Sequence, residues 1–188
     1  MFSIFLRESE LGLQLKKCGV FTFDDALHYI NNLPYGRNTN SKIISILEDE
    51  KGTCSTKHAF LALLAQENNL PVKLMLGYYK MNQRNTPQIG NTLNDYNLPF
   101  ILEGHCYLKY HDQILDATFP GELKNKLDFD ILDEQEISPL DLHNKPFNHK
   151  KKLKQWLRSN PNYPILDIEL LWKVRERCIQ VASQVALP

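Results

Sequence analysis

A small residue, a cysteine and an unbroken helical pattern follow one another near the middle of this sequence, and they constrain its fold more than any other segment. Gly52-Thr53-Cys54 precedes Ser55 to Asn68, where apolar residues occur on nearly every side of the predicted helix. This pattern is typical of a helix buried in the centre of a domain. Gly52 provides the turn into the helix. The segment therefore predicts a central helix that carries one thiol at its N-terminus.

The position of Cys54 predicts a reactive thiol. The first backbone N–H groups of a helix have no partner within the helix, and the helix dipole is positive at that end. Both effects favour the thiolate over the thiol, and the thiolate is the form that attacks a carbonyl carbon. Cys54 is therefore the candidate nucleophile.

Two segments after the cysteine helix predict a β-hairpin. Residues 100–110 and 113–118 are strand-like, and His111-Asp112 between them fits a two-residue turn. A further strand is predicted over 72–79, whose composition is alternating and rich in β-forming residues. We therefore expect a single α+β domain in which the cysteine helix packs against an antiparallel sheet.

The register of this hairpin decides which residues can meet. With a two-residue turn, the residues that flank the turn pair with each other, Tyr107 pairs with Asp116, and His105 pairs with Thr118. His105 and Asp116 are then diagonal neighbours on one face of the sheet, within reach of each other. A turn with an odd number of residues would send Asp116 to the opposite face.

A thiolate can lie beside an imidazole, and a carboxylate can hold that imidazole in place. This arrangement supports nucleophilic attack on an amide, ester or thioester. His105 would take the proton of Cys54, and Asp116 would fix the tautomer and orientation of His105. His58 is the alternative base, because it lies four residues after Cys54 on the same helix face. We expect His58 to be buried, neutral and hydrogen-bonded, so we assign His105 as the base.

The order of these elements resembles the transglutaminase-like superfamily, which has a papain-like Cys-His-Asp core. The matching motifs are Gly52-Thr53-Cys54, His105-Cys106-Tyr107-Leu108 and Leu115-Asp116-Ala117-Thr118. The resemblance covers about residues 33–120 and implies a small microbial-type member. It also implies that Cys54 is the nucleophile, that His105 is the general base and acid, and that Asp116 orients the histidine.

Three positions depart from the motifs of that superfamily. Ser55 and Cys106 stand where an aromatic residue commonly follows the nucleophile or the histidine, and Ala117 stands where proline is usual. The departures argue against protein cross-linking. The resemblance therefore implies a cysteine-dependent amide hydrolase or acyltransferase that acts on a peptide, amide or thioester through an acyl-enzyme thioester.

Two other functions remain as alternatives. The first is a catalytically silent binding module that keeps the fold. The second is a metal site, for which thiolate and imidazole ligands are available; its candidate ligands are Cys54, His58, His105 and Cys106. The sequence disfavours a metal site, because no Cys-x-x-Cys pair is present and adjacent strand residues point to opposite faces. We predict no metal and no cofactor.

Stabilisation of the oxyanion needs two donors. The backbone N–H of Cys54 is one candidate. For the second donor, three residues that precede the cysteine helix are candidates: Tyr35, Asn38 and Asn40.

Composition limits the partners of the chain. Its 188 residues carry 22 basic and 22 acidic side chains, which gives no general attraction to nucleic acid or to anionic membranes. Early charged residues argue against a signal peptide, so we expect a cytoplasmic protein. Four cysteines are too few and too irregular for a disulfide scaffold, so we expect reduced thiols.

The remaining segments predict supporting structure. Helices are expected over about 23–33, over 43–47 after a loop that ends at a capping Ser41, and in a C-terminal extension over about 146–186 whose last apolar position is Val185. The basic residues of 150–158 are interpreted as the solvated face of a packed helix. The polar segment 82–99 is either a loop that covers the substrate or a surface insertion.

Overall fold

The computed structural model describes residues 4–40, 42–121, 123–124 and 127–184. Within these ranges, four strands form one antiparallel sheet in the order β3-β2-β1-β4. The strands are β1 (Val72–Met81), β2 (Ile101–Tyr110), β3 (Gln113–Leu115) and β4 (Asp133–Glu136).

Six α-helices are present in the same described ranges, and together with the sheet they confirm the predicted α+β class. They are α1 (Glu10–Lys17), α2 (Phe23–Asn32), α3 (Ser45–Glu48), α4 (Cys54–Glu67), α5 (Lys145–Ser159) and α6 (Ile168–Ala182). Short 3-10 turns lie at Pro87–Ile89, Asn94–Tyr96 and Pro139–Asn144. No helix of the described residues combines the length and the apolar composition needed to cross a membrane.

Helix α4 is buried between the sheet and α2. Three of its large apolar residues are inaccessible to solvent: Phe60, Leu61 and Leu64. Thr53 caps its N-terminus through reciprocal hydrogen bonds with Thr56. The predicted buried helix is therefore present, and Cys54 is its first residue.

A buried lysine joins α4 to the end of α2. The Lys57 ammonium donates to the backbone carbonyls of Asn31 (3.1 Å) and Leu33 (2.6 Å). Carbonyls at a helix C-terminus lack partners within the helix and attract cations. Burial lowers the pKa of Lys57 to about 7, although the charges of Asp116 and Cys54 act in the opposite direction.

A buried ion pair attaches α6 to β2. The Arg175 guanidinium donates to both carboxylate oxygens of Glu103, from Nε at 2.8 Å and from Nη2 at 2.7 Å. Bidentate pairing of this kind fixes orientation as well as distance. The C-terminal helix is thereby held across the strand that carries His105.

The predicted hairpin is present but shorter than expected. Tyr110 pairs with Gln113, which confirms the two-residue turn, and the ladder continues only to Leu108 and Leu115. The predicted pairs beyond that point, Tyr107 with Asp116 and His105 with Thr118, are therefore wrong. The chain leaves β2 after Leu115 because the Asp116 backbone pairs with Lys124 instead.

Other predicted elements differ in extent. The helix predicted over 23–33 is confirmed as α2, with a capping box between Thr22 and Asp25. The helix predicted over 43–47 is only the short α3, and its predicted cap Ser41 lies outside the described residues. Helix α5 starts before the predicted basic segment, and the predicted Val185 position of the last helix lies outside the described residues.

Candidate active site

The N-terminus of α4 is held next to Tyr35 by main-chain pairing. The Gly52 N–H donates to the Pro34 carbonyl at 3.0 Å, and the Gly52 carbonyl accepts from the Gly36 N–H at 3.2 Å. A Cβ atom on Gly52 would lie 2.9 Å from the side chains of both Ile46 and Thr56. The close approach therefore requires glycine at the turn that presents Cys54.

The structure brings the three sequence-predicted site residues together. Nε2 of His105 lies 2.9 Å from Oδ2 of Asp116. His105 and Cys54 line the same cavity and shift each other's pKa values, and Nδ1 is the ring nitrogen that the bond to Asp116 leaves free. All three residues are buried to more than nine-tenths. His105 is therefore bonded to the carboxylate and borders the same cavity as the thiol.

The Asp116 carboxylate is itself fixed. Its Oδ1 accepts from the Thr118 N–H at 3.0 Å, and its backbone is bonded to Lys124. Sequence reasoning placed Asp116 beside His105 through an extended hairpin. The contact forms, but a local loop and not a sheet register orients the carboxylate.

The charges within this group shift its pKa values in opposite directions. Burial would raise the pKa of Cys54, but Lys145 and His105 outweigh that effect and lower it to about 6. Burial would lower the pKa of His105, but Asp116 and Cys54 raise it to about 10. Burial would raise the pKa of Asp116, but His105 holds it far below its usual range. The three groups therefore favour thiolate, imidazolium and carboxylate at neutral pH.

His58 lies beside the same carboxylate but has a different role. Its Nδ1 donates to the Cys54 carbonyl at 2.7 Å, and its Nε2 accepts from the Ala117 N–H at 2.8 Å. Nε2 is 3.5 Å from Oδ1 of Asp116. Burial lowers the pKa of His58 to about 4, despite the Asp116 charge. His58 is therefore a neutral imidazole that connects two backbone segments of the site.

Lys145 is a site residue that sequence reasoning missed. It is the first residue of α5, and its ammonium donates to Ser55 Oγ at 2.6 Å and lies 3.9 Å from Cys54 Sγ. Burial would lower the pKa of Lys145, but negative charge at Cys106, Cys54 and Glu103 raises it above its usual value. Pro146 in the first helical turn was a sequence signal for where α5 begins, but not for what α5 faces.

Two cavities meet at Cys54. The first, here called the loop cavity, has a volume of about 230 Å³ and is lined by His105, Asp116 and residues 84–89 of the predicted loop. The second, here called the α5 cavity, has a volume of about 400 Å³ and is lined by Lys145 and neighbouring residues of α5 and α6. A ligand that spans both cavities would therefore pass over the thiol.

The segment 82–99 is packed and not only a polar surface insertion. Ile89, Leu93 and Leu98 are buried, and its first 3-10 turn contacts α6. Its residues 84–89 form one wall of the loop cavity. A role in covering a substrate stays a prediction.

Of the three candidates for the second oxyanion donor, only Tyr35 lines the cavities at Cys54. Tyr35 borders both of them. Asn38 donates to Asp49 and to the Lys51 carbonyl, and Asn40 accepts from the Lys42 N–H, so both amides are engaged within their own loop.

All four cysteines are free. Among the described residues, no group of three or more His, Cys, Asp or Glu side chains is arranged to hold a metal ion. No protein-family model, curated protein or solved structure matches the chain. The chemistry of the site must therefore be argued from its own geometry.

Proposed function

We propose that this protein is a cysteine-dependent amide hydrolase or acyltransferase with a transglutaminase-like, papain-like core, in which Cys54, His105 and Asp116 act as a triad. The observation that supports the proposal is the His105 imidazole, which is hydrogen-bonded to the Asp116 carboxylate at 2.9 Å and lines the same cavity as the Cys54 thiol. The triad borders an open cavity, so a carbonyl group has a route to the sulfur.

The first half of the proposed reaction forms an acyl-enzyme. The Cys54 thiolate attacks the carbonyl carbon, and a C–S bond forms as the carbonyl oxygen becomes an oxyanion. The oxyanion then collapses, the bond to the leaving nitrogen breaks, and the His105 imidazolium gives its proton to that nitrogen. Asp116 stabilises the imidazolium and fixes its orientation. The products are an amine and a thioester at Cys54.

The second half returns the enzyme to its starting state. Neutral His105 removes a proton from water or from an amine, which attacks the thioester carbon. The C–S bond breaks, and the thiolate leaves beside the imidazolium. Water yields a carboxylic acid, whereas an amine yields a new amide. The backbone N–H of Cys54 is the proposed first oxyanion donor, and Tyr35, which lines both cavities, is the proposed second donor.

The test is direct detection of the acyl-enzyme. Wild-type protein is incubated with peptide amides and with small thioesters, quenched in acid, digested and mapped by mass spectrometry. We expect the acyl group on Cys54, a much slower rate of acylation in His105→Gln, and none at this site in Cys54→Ala. An added amine distinguishes acyl transfer from hydrolysis by the product that is released.

Folding of each variant is checked by its melting temperature. Acylation of Cys54 in His105→Gln at the wild-type rate would contradict the proposed triad. If no donor acylates wild-type Cys54, the enzymatic proposal is wrong for that set of donors, and the fold is better explained as a binding module.

A further inference from the structure

The α5 cavity is unusual in the charge of its walls. Among the described residues that line it, the lysine and arginine side chains are Arg37, Lys145 and Arg175, and there is no aspartate or glutamate. The cavity therefore presents positive charge directly beside the thiol of Cys54.

The two arginines already have carboxylate partners outside the cavity. Arg37 pairs with Glu176. Arg175 pairs with Glu103 and, at 2.8 Å, with Glu176. Neither arginine needs a ligand to balance its charge.

Lys145 differs from them. Within the described part of the chain, no carboxylate lies within ion-pairing distance of its ammonium, and its residue is only 8% exposed. Its contacts are the Ser55 hydroxyl and the Cys54 sulfur. Because a buried charge is costly unless it is paired, the Cys54 thiolate is the anion in contact with Lys145 in the free protein, whereas the Glu103 carboxylate acts on it without an ion pair.

We propose that the α5 cavity binds a carboxylate of the substrate on Lys145, so that the preferred substrates are amides or thioesters with a carboxylate close to the scissile carbonyl. The assignment of a substrate class rests on the proposed function of Cys54. The apolar side chains of Leu142, Pro146 and Trp172 line the same cavity and would contact the carbon skeleton between the two groups.

The charge balance of the reaction supports this assignment. Formation of the thioester makes the sulfur neutral, and His105 loses its proton to the leaving nitrogen in the same step. Lys145 keeps its proton, so acylation by a neutral group would remove the anion in contact with its buried ammonium and leave only the Glu103 charge, which Arg175 already pairs. A substrate carboxylate replaces the thiolate as its partner. The interaction therefore strengthens as the reaction proceeds, which is the kind of binding that accelerates a reaction.

The side chains at positions 55 and 106 are small, which leaves space for this ammonium. Ser55 accepts the hydrogen bond from Lys145, and the Cys106 thiol is among the groups that act on the Lys145 charge. The large aromatic residues expected at such positions from the family resemblance would compete for this space. The two departures from the motif and the buried lysine therefore form one local arrangement.

The test uses two alkylating agents that differ in charge. Iodoacetate carries a carboxylate and iodoacetamide does not, and both form a thioether at the Cys54 sulfur with loss of iodide. We expect iodoacetate alkylation to saturate with concentration and to be slowed by succinate, whereas iodoacetamide alkylation stays linear. In Lys145→Met the ratio of the iodoacetate rate to the iodoacetamide rate should fall by about tenfold, the loss expected for one hydrogen bond to a charged group.

The matched control is Lys154→Met, which makes the same change on α5 at an exposed lysine that does not line the cavity. It should leave the ratio unchanged. The ratio is the decisive quantity because any effect of Lys145 on the thiolate fraction acts equally on both reagents. Saturation and protection by succinate are measured on the wild-type protein, so they do not depend on the folding of a variant.

The outcomes separate this proposal from the proposed function. If Lys145→Met slows both reagents equally, Lys145 only activates the thiol and the carboxylate site is wrong. Absence of saturation and of succinate protection in the wild type would also overturn it. If wild-type Cys54 reacts with iodoacetamide no faster than the exposed Cys18, the proposal that Cys54 is a reactive nucleophile is wrong, whatever the ratio of the two rates is.

Discussion

His58 donates a hydrogen bond to the backbone carbonyl of Cys54, four residues earlier on α4. This bond reaches the main chain of Cys54 and not its sulfur. The opposite ring nitrogen accepts from the Ala117 N–H. With both nitrogens engaged by the main chain, the ring has no free position for the thiol. Proximity along the helix therefore does not make His58 the base.

The first prediction separates the two histidines by the pH dependence of Cys54 alkylation. In the wild type we expect the midpoint to be near the lowered pKa of Cys54, about 6. His105→Gln should move it up toward the unperturbed value of about 8.5, because the imidazolium that stabilises the thiolate is gone. His58→Gln should change it little. A larger shift in His58→Gln than in His105→Gln would contradict the assignment.

A second prediction concerns the charge of Asp116. Asp116→Asn keeps the shape of the side chain but removes the charge that raises the pKa of His105. We expect the midpoint of Cys54 alkylation to rise and the turnover of any substrate to fall by roughly 10³- to 10⁴-fold. Asp112→Asn, in the exposed hairpin turn, is the matched control and should have wild-type values. An active Asp116→Asn variant with an unchanged melting temperature would remove Asp116 from the triad.

Much of the site could be predicted because its signals are local. The buried pattern of α4 and the two-residue turn at His111-Asp112 follow from neighbouring residues, and both are present. The parity of that turn correctly predicts that His105 and Asp116 meet, although a local loop and not the ladder orients the carboxylate. The ladder ends at Leu115, where the Asp116 backbone pairs with Lys124, and the sequence carried no signal for that pairing.

What could not be predicted depends on how distant segments dock. Lys145 lies 91 residues after Cys54, and only the packing of α5 brings it to the sulfur. Strand β4 is an exposed edge of four polar residues, so it has no apolar periodicity to reveal it. Its pairing with β1 uses backbone groups, which carry no sequence signal, and one exposed side-chain ion pair between Lys73 and Glu136 at 3.0 Å.

The third prediction ranks the cysteines by reactivity. We expect iodoacetamide to label Cys54 fastest at pH 7, because the pKa of Cys54 is lowered to about 6 whereas the pKa values of Cys106 and Cys178 are raised. Cys18 should be slower although it is exposed, and Cys178 should be inert, since it is inaccessible and burial raises its pKa to about 12. Timed labelling with peptide mapping measures all four. Faster labelling of any other cysteine would contradict the prediction.

A fourth prediction tests the ion pair between Glu103 and Arg175. Arg175→Met leaves the Glu103 carboxylate buried without its partner, and we expect a loss of about 3 to 5 kcal/mol in the free energy of unfolding. Arg175→Met combined with Glu103→Gln removes both charges and should recover part of that loss. Urea unfolding measures the three proteins. Equal stability of the single and double variants would show that the unpaired carboxylate is not the cause.

The fifth prediction is a loss of stability in mild acid caused by His58. Its pKa is about 4 in the folded protein, whereas an unfolded histidine has a pKa of about 6.5. Above pH 6.5 neither state binds a proton at this site, and below pH 4 both states do. Between these values only the unfolded state is protonated, so the free energy of unfolding falls as the pH falls.

The size of this effect follows from the difference in pKa, and at pH 4.5 it is roughly 2 to 3 kcal/mol. The raised pKa of His105 gives a contribution that is complete below pH 6.5, so it does not decline on acidification. The lowered pKa of Cys54 gives a contribution that is lost as the pH falls through about 6, and this loss is common to wild type and both variants, so it does not affect the comparison between them. Burial also lowers the pKa of His149, which adds a decline of the same sign.

Urea unfolding at pH 7 and pH 4.5 is therefore compared for wild type, His58→Gln and the control His28→Gln, whose histidine is exposed. His58→Gln should be less stable than wild type at pH 7, because its hydrogen bonds to Cys54 and Ala117 are disturbed. It should nevertheless lose less stability on acidification, whereas His28→Gln should follow the wild type. An equal loss of stability on acidification in all three proteins would mean that His58 is already protonated in the folded protein. His58 would then again be a candidate for the base.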